Sequence, residues 1–450
     1  MKILSWLTPA LIALLACRAE AVSVSGRFTT AAYTFEREAP DSLSAGQFRV
    51  YQTGALTLRG LGDPRLSFQT SLRTSLDLLH RAGNDPSTRV QHAHFRWAGE
   101  RLTLTLGRQF VAAGAGTGTL DGGRVSLRLR DYATVDLYAG GLAPLGRSKV
   151  FAGWDDGHMM GVHVVSSKSS RTTVGVSFYR RTRRVTPYLS AAGTGYPDSL
   201  WADRVVRNGT FEVRPNALEQ QMLGLDARQS FAAWTLYGRL DASAAARLRV
   251  RRGEASLRYG GDRVTFSGEY LYRTPWTPAN SIFSVFTQRA NHEVSWRGDY
   301  RLSHLFGLFG EFTHLFFDGR RGRRASAGAA VGNGYVTYSL RRGHGGVSDG
   351  IGGDVRQRLT GRAWVSAGAH FSSFRYEDGI GPRSTAFSVT LGLHVRPVKY
   401  LSIDLEGQDM AQRLRTPTLL NPFPGLRNDV RLFFRASAWF FSSGSPMPME

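Results

Sequence analysis

The sequence predicts an all-β fold, a transmembrane antiparallel up-and-down β-barrel of about 22 strands with short periplasmic turns and long extracellular loops. Three observations predict it. From Val22 to Phe441 apolar and polar residues alternate with a period of two, the spacing of a strand with one oily and one hydrated face. Short connections alternate with longer ones rich in Gly, Pro and Asp. Beyond the first twenty residues no apolar run approaches the ~18 consecutive residues that a membrane-spanning helix requires, so a helical integral membrane protein is excluded.

The first segment is of another kind. Met1-Lys2 gives a charged start, Ile3 to Ala16 is mostly apolar, and Ala19-Glu20-Ala21 is a small-x-small cleavage site. This pattern reads as a secretory signal peptide cut after Ala21. The chain then divides into a signal peptide (1–21), a transmembrane barrel (22–441) and a C-terminal periplasmic tail (442–450). The competing reading is a lipoprotein acylated at Cys17. The only cysteine is Cys17, so either processing leaves no thiol for an intramolecular disulfide, a thiolate metal site or a haem attachment. No cofactor is expected on the chain.

The clearest strand runs from Arg65 to Leu78, where Leu66, Phe68, Leu72, Leu76 and Leu78 share one parity and Arg65, Ser67, Gln69, Ser71, Arg73, Ser75 and Asp77 the other. The same pattern recurs in Arg101 to Leu106, Arg124 to Arg130, Arg263 to Arg273, Val294 to Leu302, Phe387 to Arg396 and Leu401 to Gln408. Short connections fall at Gly60 to Asp63, Gly99-Glu100, Arg130-Asp131, Gly260 to Asp262, Gly332 to Gly334 and Thr360-Gly361. Long ones fall at His80 to Ser87, Val111 to Leu120, Leu142 to Gly157, Thr182 to Pro215, Pro275 to Arg289, Gly343 to Gly350 and Ala411 to Asn428. The count of about 22 takes Ala246 to Tyr259 as one strand bulged near Gly253. Weak alternation there and in Ala325 to Gly332 gives a span of about 18 to 22 strands. Closure is required because lipid offers no partner to an unpaired N–H or C=O.

Trp234, Trp296, Tyr270 and Tyr272 sit near strand ends, as interfacial girdles do. A final strand carries Val430, Leu432, Phe434, Ala436, Ala438 and Phe440 on one parity and ends in Trp439-Phe440-Phe441. This ending resembles the signal by which the outer-membrane barrel assembly machinery selects its clients, although nine residues follow Phe441 here. A second resemblance is local. Leu106-Gly107-Arg108-Gln109, a glycine-rich segment and then Asp121-Gly122 resemble a hairpin of alginate-export-type porins, without the acidic, tryptophan-containing stretch of an alginate exporter. In length and layout the chain resembles Gram-negative outer-membrane porin-like proteins, which implies the outer membrane as its location.

Charge is the most informative remaining signal. Lys plus Arg number 57 against 35 acids, a formal net charge of +22, and only Lys2, Lys149, Lys168 and Lys399 are lysine. Arg49, Arg59, Arg65, Arg73, Arg124, Arg128, Arg171, Arg239, Arg247, Arg249, Arg251, Arg258, Arg263, Arg297, Arg301, Arg431 and Arg435 take the inward parity. Inward acids are fewer: Asp77, Asp136, Asp226, Asp241, Glu254, Glu269, Glu293, Asp299, Asp404 and Glu406. A low-dielectric wall around net positive charge concentrates anions, and guanidinium suits carboxylate and phosphate. The plainer alternative is that cross-strand Arg and acid pairs cancel. The runs Arg180, Arg181, Arg183, Arg184 and Arg320, Arg321, Arg323, Arg324 read as charged connections, where lipopolysaccharide phosphates are the available anions. Nucleic acid is not implied, because export removes the chain from it.

No enzyme motif is present, and the expectation is a non-enzyme. Gly114 to Gly118 opens no helix, fails the context of a nucleotide fingerprint and reads as a flexible or inward-folded loop. His92 and His94 share parity with Arg96, which disfavours a cation; lumen-facing polar residues are the simpler reading. Trp154 to His158 reads as a solvated turn. The expected function is passive or substrate-selective diffusion of small anions through an arginine-rich lumen, with Thr182 to Pro215 as the constriction. The alternative is a sheath, in which a plug or a multihaem cytochrome partner fills the hole and carries all the haem.

Overall fold

The computed structural model describes residues 22–38, 45–79, 87–144, 150–166, 171–184, 188–191, 206–207, 210–213, 218–244, 248–274, 290–375, 382–415 and 425–442. The segment assigned to the signal peptide, with Ala19 and Ala21, and the tail after Ser442 lie outside them. Period-two alternation becomes strands throughout, because each strand places successive side chains on opposite faces. In chain order these are β1 (Ser23–Glu38), β2 (Ala45–Arg59), β3 (Leu66–Asp77), β4 (Ser87–Ala98), β5 (Leu102–Ala113), β6 (Gly116–Leu129), β7 (Ala133–Leu142), β8 (Gly157–Ser166) and β9 (Thr172–Arg183). Three short strands follow, β10 (Tyr188–Ala191), β11 (Val206–Arg207) and β12 (Thr210–Val213). The series then resumes with β13 (Leu218–Phe231), β14 (Trp234–Ser243), β15 (Arg249–Gly260), β16 (Val264–Arg273), β17 (Asn291–Arg301), β18 (Phe306–Phe317) and β19 (Arg320–Val331). It ends with β20 (Gly334–Gly343), β21 (Val347–Thr360), β22 (Ala363–Arg375), β23 (Ser384–Val398), β24 (Leu401–Leu414) and β25 (Gly425–Phe441).

Twenty-two of these strands form one antiparallel sheet, and β10 to β12 form a separate three-stranded sheet between β9 and β13. The large sheet closes because β1 pairs with both β2 and β25, the latter from Ser25 opposite Phe441 to Glu38 opposite Asn428. Closure leaves no strand edge in the sheet, the condition that lipid imposes on β structure. Register identifies the two faces. Ser437 lies opposite Thr29, Thr29 opposite Thr53 and Thr53 opposite Arg73, and the same polar face continues around the circuit. The other face exposes large apolar side chains all around, among them Leu106, Phe178, Leu236, Phe312, Val336, Ile351, Leu391 and Phe434. A continuous apolar face of this size is sustained against acyl chains, not water.

One end of the barrel carries the shorter connections, among them two-residue turns at 232–233, 332–333, 361–362 and 399–400. The other carries the longer connections, including 143–156, 184–217 and 274–290. Three connections at that end depart from the sequence expectation. Val111 to Leu120 is strand almost throughout, with only 114–115 between β5 and β6. Gly343 to Gly350 shortens to a turn at 344–346, and Asp318-Gly319 joins β18 to β19. Arg320 to Arg324 therefore lie within β19, and Arg180, Arg181 and Arg183 within β9, where continued ladder pairing holds them in the wall. The expected bulge in β15 falls opposite Asp241 and Ala242, at Arg251, two residues before Gly253.

Candidate functional site

The site is built by one hairpin that leaves the wall. β5 pairs with β4 only as far as Arg108 opposite Ala93, and β6 pairs with β7 only from Leu120 opposite Leu142. Between these limits Gln109 to Thr119 pair with each other up to a two-residue turn at Gly114-Ala115. Gly114 has φ +57°, a conformation that favours glycine at the first position of such a turn. The crease is also made of glycine. Gly107 has φ +121°, and a Cβ there would stand 2.3 Å from the Ala93 carbonyl oxygen. A Cβ on Gly122 would stand 2.2 Å from the Ala139 carbonyl oxygen and 2.5 Å from Gly140 Cα.

The hairpin folds inward. Its tip reaches the inner face of strands well around the barrel: the Ala115 N–H donates to Ser177 Oγ on β9 at 2.9 Å, and Arg239 Nη2 on β14 donates to the Gly114 carbonyl at 3.1 Å. Folding a sheet flap inward turns its former inner face onto the wall. Val111, Ala113 and Leu120 accordingly bury against Tyr138, Leu142, Met159 and Tyr179, with Ala115 and Met222 packed alongside. Burying Val111 and Leu120 contributes ~1.5–3 kcal/mol each, so the hairpin is seated as a fixed element. Phe110, on the opposite face, is 64% exposed and points into the open lumen.

A buried ion pair locks the crease. Arg108 Nε and Nη2 donate to Asp121 Oδ1 and Oδ2 at 2.6 and 2.7 Å, and the two side chains are 2% and 3% exposed. Two further donors are used: Nη1 reaches the Val90 carbonyl at 3.2 Å and Nη2 the Val150 carbonyl at 2.8 Å. The Ala152 N–H donates to Asp121 Oδ2 at 2.6 Å, and the Phe151 ring lies 5.0 Å from the guanidinium. The segment 150–152 thus covers the pair from outside the hairpin. Gln109 ties the two strands of the crease through the Thr105 and Gly122 carbonyls at 3.2 and 3.3 Å. Beside the crease, on the inner wall, a cleft of about 450 Å³ is lined by Gln69, Gln91, His92, His94, Arg96, Thr105, Gln109, Phe110 and Arg124 among others.

By register, Arg49, Arg59, Arg73, Arg124, Arg128, Arg239, Arg249, Arg297, Arg431 and Arg435 lie on the inner face. Arg65, Arg171, Arg263 and Arg301 lie at its short-turn rim; Arg247 is outside the described residues. Arg251 falls in the bulge, which returns Arg252 to the inner face opposite Asp241. Several of these arginines bind acids: Arg49 to Asp77 at 3.3 Å, Arg124 to Asp136 at 2.9 Å, Arg239 to Asp241 at 3.0 Å, Arg297 to Asp299 at 3.3 Å and Arg435 to Asp404 at 3.0 Å. Arg252 and Arg324, which sequence parity missed, bind Glu254 at 2.5 Å and Glu293 at 2.8 Å. Among the described residues no carboxylate lies within 4.0 Å of Arg59, Arg128, Arg228, Arg258, Arg301 or Arg356, all near the short-turn end. His92 and His94 stand 5.8 Å apart between ring centroids on the inner face, and the described residues hold no cluster of three metal-ligating side chains. The Thr182 to Pro215 segment is described only at 182–184, 188–191, 206–207 and 210–213, so its expected constricting role falls mostly outside the described residues. Among the described residues the β5–β6 hairpin is a segment that folds inside the barrel.

No family model and no curated protein matches the chain. Among solved structures it is similar to the ferric enterobactin receptor of Pseudomonas aeruginosa, with a TM-score of 0.55 at 8% identity over 92% of this chain and 80% of that one. It also aligns with the P pilus usher (PapC) translocation pore, TM-score 0.49 at 10% identity over 93% of this chain and 100% of that one. The alignment to OccAB4 of Acinetobacter baumannii has a TM-score of 0.41 at 8% identity and covers 94% of this chain and 99% of that one. The likeness is one of fold. Taken with the closed sheet and its apolar outer face, it makes the chain a membrane-spanning antiparallel β-barrel.

Proposed function

We propose that this barrel is a channel through which small anionic solutes diffuse, past an arginine-rich lumen narrowed by the β5–β6 hairpin. The observation that carries this reading is the uneven pairing of inner-face charge. Arg49, Arg124, Arg239, Arg297 and Arg435 are each paired with an acid, whereas Arg59, Arg73, Arg128, Arg249, Arg258 and Arg301 have no carboxylate within 4.0 Å among the described residues. Uncompensated charge inside a low-dielectric wall raises the local anion concentration. Phe110 and the cleft beneath it lie beside this path and supply an apolar contact for organic anions. The hairpin occupies lumen that a protein-filled sheath would leave free, which favours solute passage over a partner. The aromatic end of β25 is the segment assigned to recognition by the barrel assembly machinery.

The test is the reversal potential of the purified barrel in planar bilayers under a KCl gradient. The expected sign is chloride preference, reduced in the triple variant R59Q/R128Q/R258Q and weakened for both proteins as salt rises, since the Debye length shortens to about 3 Å at 1 M. Cation preference in the parent at low salt overturns the reading.

A further inference from the structure

We propose that Arg321, Arg323 and Arg342 form a binding site for the phosphorylated headgroup of an outer-leaflet glycolipid. These three side chains lie on the outer face of the barrel, on neighbouring strands at the long-loop end. The outer residues of β19 run Val331, Ala329, Ala327 and Ala325, and then turn abruptly to Arg323 and Arg321. On the flanking strands Phe312 lies opposite Ala325, and Leu340 lies opposite it on the other side. One row further up stand His314, Arg323 and Arg342, each directly opposite the next, and above them Phe316 faces Arg321. The change from apolar to cationic is therefore a level around this part of the barrel, where acyl chains give way to headgroups. Arginine on the lipid side is tolerated at that level and costly below it.

The charge there is not balanced. Asp349 accepts from Arg342 Nη2 at 2.6 Å and lies 3.1 Å from Arg383 Nη1, so one carboxylate serves two guanidiniums. Among the described residues no carboxylate lies within 4.0 Å of Arg321 or Arg323, and both are exposed. The other outer-face arginine of a charged run is treated differently: Arg180 on β9 binds Glu219 at 2.8 Å. Like charges directly opposite each other on a ladder repel. An anion with several oxygens placed between Arg321, Arg323 and Arg342 removes the repulsion and accepts their forked donors. The occupant of the outer face just above an acyl-contacting band is lipid, so the phosphate is a lipid headgroup phosphate.

The experiment is native mass spectrometry of the purified full chain, delipidated in detergent and titrated with bisphosphorylated lipid A. The parent is expected to retain the lipid, and R321Q/R323Q to bind it about tenfold more weakly or worse, the loss expected for charge-assisted hydrogen bonds. Dephosphorylated lipid A should bind both proteins equally, and R180Q should bind like the parent. Heat-modifiable gel mobility establishes that each variant is folded. Equal retention by parent and double variant overturns the proposal, as does tight binding of the dephosphorylated lipid. Displacement by inorganic phosphate at equal concentration would assign the site to free phosphate and overturn the lipid assignment.

Discussion

Arg108 and Asp121 illustrate how much one buried pair can decide. Both charges are withdrawn from water, and each is held by several hydrogen bonds. Removing one partner strands the other, which typically costs ~3–5 kcal/mol, whereas replacing both by apolar residues is close to neutral. Asp121→Ala is expected to release the hairpin, seen as protease cleavage within 109–119 and as larger, noisier unitary currents. The R108M/D121L pair should restore both readouts; failure to do so shows that the charges act otherwise than as a latch. Tyr138 gives a finer test. Its Oη is buried without a hydrogen-bond partner among the described residues, and a Cβ on Gly116 would stand 2.0 Å from it. Gly116→Ala should therefore unseat the hairpin tip, and Tyr138→Phe, harmless alone, should rescue it in the same cleavage assay. The latch was not legible from alternation. Arg108 shares parity with the outward Leu104 and Leu106, and period two carries no sign that the strand folds over at Gly107.

At the scale of the element, the β5–β6 hairpin and β19 were misread for related reasons. Gly114, Gly116 and Gly118 made Val111 to Leu120 look like a loop, yet Val111, Ala113 and Leu120 share one face and are all buried. Glycine density reflected close approach to Tyr138, Met159 and Ser177 and not the absence of a strand. In β19 four arginines in five positions suggested a connection, because a charged strand end at the headgroup level looks like a loop when read without its neighbours. Deleting Ala112 to Thr117 is expected to increase unitary conductance while leaving heat-modifiable mobility intact. Unchanged conductance would show that the hairpin does not narrow the path. Met159→Ala, at a fully buried contact of the hairpin with β8, should weaken its seating by ~2–5 kcal/mol and raise current noise without altering barrel assembly.

For the molecule as a whole, the all-β class, the alternation of faces and the count of 22 strands were legible because they are local and repeat along the chain. The register of the seam was not, since the pairing of β1 with β25 joins residues some four hundred positions apart. Thr29 Oγ1 and Ser437 Oγ lie 3.0 Å apart across that seam, close enough for their β-carbons to accept a disulfide. Thr29→Cys/Ser437→Cys is expected to oxidise spontaneously and to give a covalently circular species that migrates anomalously even after boiling. Absence of that species would contradict the register.

The seam also sets an order of events. Of the described strands β25 is the last to be translated, and until it pairs β1 presents unsatisfied backbone groups that could template pairing with any other extended chain. A polypeptide interrupted before Gly425 would carry two sticky margins and be unable to exclude water from its backbone in lipid. The barrel therefore closes only once its final strand is present to pair with its first.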